Sequence, residues 1–220
     1  MAKVKTGFFP TAMRIIKEPK AFFESVKKDK GYQKPWLFYM KLMVLYFLLV
    51  LVSSILSSGA ATTPDIGGFN PIIFAVFGLL FGLILSAGTI FIGAGILHLC
   101  LLIVGAKKGF EQTFKISTYA TVTLPLLGLL IFLQMIPKVG TMLYVLLAIS
   151  LSIYMFVIEV FGAKVLHGLS TARAVVGVVV IPLAIVLLFL IIIFGVILLI
   201  FFAVAGGSGG VAGAIANTVN

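Results

Sequence analysis

The feature that most constrains this chain is the length of its uninterrupted apolar runs. Five stretches, near 36–57, 71–104, 113–136, 141–161 and 174–204, are each long enough to cross a bilayer as a helix. A hydrocarbon core of about 30 Å takes roughly 20 residues at about 1.5 Å each. With 62% apolar and 10% charged residues, a water-soluble fold of 220 residues would leave apolar side chains over its whole outside. The expected class is therefore all-α: a polytopic membrane protein of about five transmembrane helices, led by an interfacial amphipathic helix. This divides the chain into a basic segment (1–35), a five-helix domain (36–204) and a Gly-rich tail (205–220) read as flexible coil. Ser57-Ser58-Gly59, Pro64 to Pro71, Gly105 to Gly109, Pro137 to Gly140 and Gly162 to Ser170 punctuate the runs as loops. The second and fifth runs exceed 30 residues, so they must tilt, project beyond the lipid or break. The first run is too long for the apolar region of a cleavable signal peptide, which takes about 7 to 15 residues.

The formal charge of +10 is not spread as a nucleic-acid-binding face. Ten of the 16 Lys and Arg residues lie at or before Lys41, and Lys107, Lys108, Lys115, Lys164 and Arg173 flank later runs of the same side. Only Lys138 falls on the other side, which by the positive-inside rule places the N-terminus in the cytoplasm and the C-terminus outside. Within residues 7–30, Phe8, Ala12, Ile15 and Ile16, then Phe22, Phe23 and Val26, recur at helical spacing. Arg14, Lys17, Lys20, Lys27 and Lys28 fall between them. Such a helix is expected to lie in the headgroup layer, with Phe8, Phe22 and Phe23 in lipid and Arg14, Lys17, Lys20 and Lys27 on anionic headgroups.

Soluble catalytic motifs are missing: there is no P-loop, GxSxG or HExxH. With two histidines and the lone Cys100, neither a metal site nor a cofactor is expected, and the chain reads as a non-enzyme. Ionisable residues inside spans then become the pointers to function, because hydrocarbon does not solvate charge. Lys41, one turn inside the first span, reads as a snorkelling side chain. His98 and Glu159 fall near the cytoplasmic ends of the second and fourth spans. Glu159 either closes an ion pair, with Lys164 or Lys115 the expected partner and Arg173 near, or works directly on a solute or proton. In the third span Thr113, Ser117 and Thr121 repeat every four residues, as a polar stripe that binds helices together or lines a wet crevice. Gly78 and Gly82 form a GxxxG in the second span, and close helix approach there leaves a homo-oligomer open.

The stretch Gly88-Thr89-Ile90 to His98 and then Gly105-Ala106-Lys107-Lys108-Gly109-Phe110-Glu111-Gln112-Thr113-Phe114-Lys115 resembles the middle of the Yip1-type membrane domain family. Lys164 to Ala174, followed by Pro182, looks like its last loop and final helix. Ile15 to Phe23 is similar to its segment before the first span, with Glu18-Pro19 where Asn-Pro is commoner. The resemblance implies a five-span, non-enzymatic membrane protein. Eukaryotic members are associated with Rab-type GTPases and traffic between endoplasmic reticulum and Golgi. This chain, without their long polar N-terminal region, is more similar to compact prokaryotic members, which implies the cell membrane, with endoplasmic reticulum or Golgi the alternative. Scaffolding on anionic lipid, or on a protein partner at the cytoplasmic face, is the leading expectation. A small-solute, ion or lipid transporter using the cluster around Glu159 is its rival.

Overall fold

The computed structural model describes residues 7–58 and 71–216, so the first extramembrane loop (59–70) and the last four residues of the tail lie outside the described residues. Among the described residues nine α-helices follow one another: α1 (Phe8–Lys17), α2 (Pro19–Val26), α3 (Gln33–Ser58), α4 (Pro71–Ile103), α5 (Phe110–Ala120), α6 (Leu124–Leu130), α7 (Gly140–His167), α8 (Thr171–Val175) and α9 (Ile181–Ala216). No strand occurs among the described residues. Among the described residues five helical stretches, Gln33–Leu56, Val76–Ile103, Phe110–Met135, Gly140–His167 and Thr171–Phe202, have the length and hydropathy to cross a membrane.

Two of the deviations from regular α-helix in the spans lie just ahead of prolines. A 3₁₀ turn at Thr121–Thr123 separates α5 from α6 just ahead of Pro125, and a π turn at Val176–Val180 separates α8 from α9 just ahead of Pro182. Proline has no N–H for the carbonyl one turn back and crowds it, so the preceding turn repacks. The second run, by contrast, is a single helix of 33 residues. Sequence punctuation misplaced one boundary: Gly162 does not open a loop, and α7 continues to His167, where Gly168 ends it in the left-handed conformation at φ 73°. Only Gly168 to Ser170 remain as the connection. Ser170 caps α8, its Oγ accepting from the Arg173 N–H at 3.4 Å.

Residues up to Val179 form one compact unit and those from Val180 form another. In the first, α5 is the central helix, packed on α3, α4 and α7, and residues 113–120 are all buried. Gly82 of the GxxxG serves packing inside the chain: a Cβ there would sit 2.6 Å from the Phe47 ring of α3, while Gly78 faces open space. The second unit is the single helix α9, which has no polar side chain from Ile181 to Phe202. Its helical backbone continues through the Gly-rich stretch to Ala216, where the composition had suggested coil.

The largest departure from expectation is the N-terminal segment. Pro19 holds Glu18 out of the helical region (φ −139°, ψ 60°), which breaks the amphipathic stretch into the hairpin-like pair α1 and α2. Ile15 and Phe23 are fully buried, Phe22 is 4% exposed and Phe8 is packed against the core. Phe22 meets the Tyr119 ring edge-on at 4.8 Å, Phe8 lies 5.5 Å from Phe38, and the Tyr154 hydroxyl of α7 donates to the Ile16 carbonyl. Thus Phe8, Phe22 and Phe23, expected in lipid, pack on protein. The bundle supplies shaped aromatic partners and a notch at Gly162, where a Cβ would stand 2.9 Å from Ile116 and 3.0 Å from Phe23. The apolar side chains that α1 leaves exposed are Phe9 and Met13.

Candidate functional site

The polar residues of the spans gather at one end of the bundle, where α3, α5 and α8 begin and α4 and α7 finish. They form three separate arrangements around α5. In the first, the Thr113 hydroxyl sits between two imidazoles, 2.8 Å from His98 Nδ1 of α4 and 3.0 Å from His167 Nε2 of α7. Thr113 is fully buried and the two rings lie 6.2 Å apart. A hydroxyl has one hydrogen and two lone pairs. When it donates to one ring it accepts from the other, so the two histidines hold linked tautomers and a proton can pass between them through the oxygen. His167 Nδ1 is buried with no hydrogen-bond partner among the described residues. The arrangement ties the ends of three spans together.

The second arrangement staples the N-terminal segment to α5. Lys115, 1% exposed, reaches Glu111 Oε1 at 2.9 Å and also donates to the Asp29 carbonyl, while the Gly31 N–H donates to the same Glu111 oxygen at 2.9 Å. A lysine buried this deeply needs a counter-charge and further acceptors; Glu111 of α5 supplies the first and the turn between α2 and α3 the Asp29 carbonyl. Glu111 stands four residues before Lys115, the favourable order for a helical pair. That spacing is legible in the sequence; the reach to Asp29 and Gly31, about 80 residues away, is not.

The third arrangement is Glu159, half-buried on the α7 stripe that also holds Met155, Gly162 and Leu166. Neither expected partner meets it. Lys115 is engaged by Glu111, and Lys164 donates to Thr171 Oγ1 at 2.9 Å. No ion pair of Glu159 occurs among the described residues, and His98 joins Thr113 instead. The gathering inferred from topology is thus divided by the helices between its members: side chains at one end of a bundle meet only when their faces do. Arg173 is exposed beside the turn at Gly105 and lines a cleft of about 500 Å³ there. Lys164 lines a different, apolar cleft of about 420 Å³.

The hydroxyl stripe is part of the packed interior. Thr118 and Thr121 return their hydroxyls to helix carbonyls at 2.7 Å, from Phe114 and Thr118, and Ser117 is 7% exposed. Sequence reasoning missed the partners of two residues that matter here. Tyr119 is the aromatic surface on which Phe22, Phe23 and Phe38 converge, and its signal was an aromatic ring set in a row of hydroxyls. His167 is the second imidazole on Thr113, and its signal was a polar residue immediately before the helix-ending Gly168. Of the basic residues expected to meet headgroups, Lys17, Lys20 and Lys27 are exposed and Arg14 is half-buried.

No curated protein and no solved structure matches the chain. The family model described as Yip1 domain matches residues 13–194, a range that takes in part of α1, all of α2 to α8, and the start of α9. Five apolar spans, a docked basic segment before the first of them and this match over most of the chain agree: the protein belongs to the Yip1 domain family of multi-pass membrane proteins.

Proposed function

We propose that the protein is a non-catalytic membrane-organising scaffold that gathers anionic lipid headgroups, and through them or directly a protein partner, on the basic face at its N-terminal end. The observation that carries this reading is the docking of α1 and α2. Phe22 and Phe23 are buried and Phe8 packs beside them against α3, α5 and α7, while the Lys and Arg side chains face outward or line the surface. A free amphipathic helix would enter and leave the interface as lipid composition changed. A docked one holds Lys17, Lys20, Lys27 and Lys28 exposed on the protein surface, and Lys107, Lys108 and Arg173 are exposed as well. Each basic residue near an anionic surface contributes about 1 kcal/mol, so such residues together enrich anionic lipid around the protein. In this reading that face is cytoplasmic and the protein resides in the cell membrane, or in endoplasmic reticulum or Golgi if the source is eukaryotic.

The test is reconstitution of the full chain in supported bilayers of phosphatidylcholine with phosphatidylglycerol. Labelled phosphatidylglycerol should diffuse more slowly near the protein, the effect should fade as salt rises, and labelled phosphatidylcholine should be unaffected. Equal mobility of both lipids at low salt would remove the reading. Orientation is checked by a cysteine placed at Lys108, which should react with an impermeant maleimide only from the cytoplasmic side. The native Cys100, 1% exposed, does not compete.

A second reading, transport of a proton or small solute, is favoured by the His98–Thr113–His167 chain and by the lack of an ion-pair partner for Glu159 among the described residues. It requires flux through proteoliposomes that Glu159→Gln or Thr113→Val abolishes while the protein remains folded.

A further inference from the structure

Lys41 reads in the sequence as a lone snorkelling lysine, yet it lines the same cleft as Arg14 and Lys34. The cleft, of about 560 Å³, opens between the α1–α2 pair and the first two turns of α3. Its one carboxylate, Asp29, pairs with Lys34 at 3.1 Å, so the three cations leave a net formal charge of +2. Phe22, Phe38 and Tyr119 form an aromatic floor. Lys34 and Lys41 are two helical turns apart on one face of α3, which sets their Cα atoms about 10 Å apart along the axis. That exceeds the headgroup region of one leaflet, about 5 to 8 Å deep, so the two cations bracket it.

From this juxtaposition we infer that the cleft is a binding site for a single anionic phospholipid, resting on the headgroup-gathering reading above and giving it a specific seat. Arg14 and Lys41 hold the phosphate, Arg14 with its planar fork and Lys41 as a point charge from below. Hydroxyls of Thr11 and Ser25 border the same space and offer donors to the headgroup. Leu37, on the cleft edge and 49% exposed, leads from the charged region to the lipid-facing side of α3, where an acyl chain would lie. A free phosphate would satisfy the cations but would gain nothing from the aromatic floor or from Leu37, so the occupant is a lipid.

The experiment is native mass spectrometry of the full chain released from nanodiscs of mixed phosphatidylcholine and phosphatidylglycerol. One phosphatidylglycerol should remain bound, and Arg14→Gln with Lys41→Gln should weaken its retention about 30-fold, for two basic contacts. Lys17→Gln with Lys20→Gln removes the same amount of charge from α1 and α2 but from a different cleft, and should change retention no more than about threefold. Equal losses in the two double variants would overturn the site while leaving diffuse headgroup attraction intact. No retention by the native chain would also overturn it; the bilayer diffusion measurement then decides separately whether the wider reading survives. Displacement of the lipid by millimolar inorganic phosphate would reassign the cleft to a free anion and overturn the proposal. Because Arg14 also donates to the Ala21 carbonyl at 3.4 Å, its replacement tests the fold as well. The unaltered chain is therefore crosslinked to phosphatidylglycerol carrying a photoreactive acyl chain. Adducts concentrated at Leu37 and neighbouring α1 support the site, and adducts spread evenly around the lipid belt overturn it.

Discussion

Helices α5 and α9 both belong to stretches long enough to cross a membrane, and they do so by opposite means. Helix α5 carries Lys115, Thr113, Ser117, Thr118 and Tyr119, and each of these is buried. Helix α9 carries no polar side chain from Ile181 to Phe202, so lipid alone can solvate it. In water the rule runs the other way, with apolar residues marking the interior. In a bilayer, tails solvate Leu and Ile as well as a protein core does, and polar groups are what the fold must enclose. Polarity is therefore the burial signal in this chain. The N-terminal α1 and α2 follow the aqueous rule, because their Lys side chains are exposed while Ile15, Phe22 and Phe23 are buried on the bundle.

That contrast is most sharply broken or upheld by the largest expected effect. Phe23→Ala removes a fully buried ring from between Tyr119 of α5 and Gly162 of α7, and should destabilise the protein by about 3 to 5 kcal/mol in equilibrium unfolding from mixed micelles. If α1 and α2 instead lay free in the interface, that loss would fall below about 0.5 kcal/mol. Lys115→Met should cost about 2 to 3 kcal/mol, less than for a wholly buried pair because Glu111 is 30% exposed and can rehydrate. Limited proteolysis should then cut the turn at Asp29 to Gly31 faster, since its contact to Lys115 is gone and Glu111, its other partner, loses the cation that holds it in place. An unchanged cutting rate would show that the turn is held by something else.

Smaller effects sharpen the comparison within α5. Thr113→Val removes both hydrogen bonds of the His98–His167 bridge and should destabilise by about 1 to 3 kcal/mol, whereas Thr113→Ser, which retains the hydroxyl, should recover most of this. Equal losses for Val and Ser would show that the methyl group matters as much as the hydroxyl. At the far end of the scale, Ile191→Leu in α9 should change stability by less than about 0.5 kcal/mol, as an apolar exchange in a helix solvated by lipid. A loss above about 1 kcal/mol there would mean that α9 has a specific protein neighbour in the membrane.

The sequence by itself determined the number of spans, their approximate limits, the basic character of one end and the family. Length and transfer free energy are properties of a segment alone, and the bilayer supplies the same solvent to every segment. It also contained the Glu111–Lys115 pair, whose spacing is local to one helix. The tertiary structure alone decided which charges meet. Glu159, Lys115 and Lys164 share an end of the bundle, yet Lys115 turned to Glu111 and the loop at Asp29, and Lys164 to Thr171. It also decided that Gly162 is a notch for Phe23 instead of a loop signal, and that Lys41 shares a cleft with Arg14. Such meetings depend on the rotation of each helix about its axis. A uniformly apolar span leaves that rotation undetermined, because lipid accepts every face equally well, and only packing between helices fixes it.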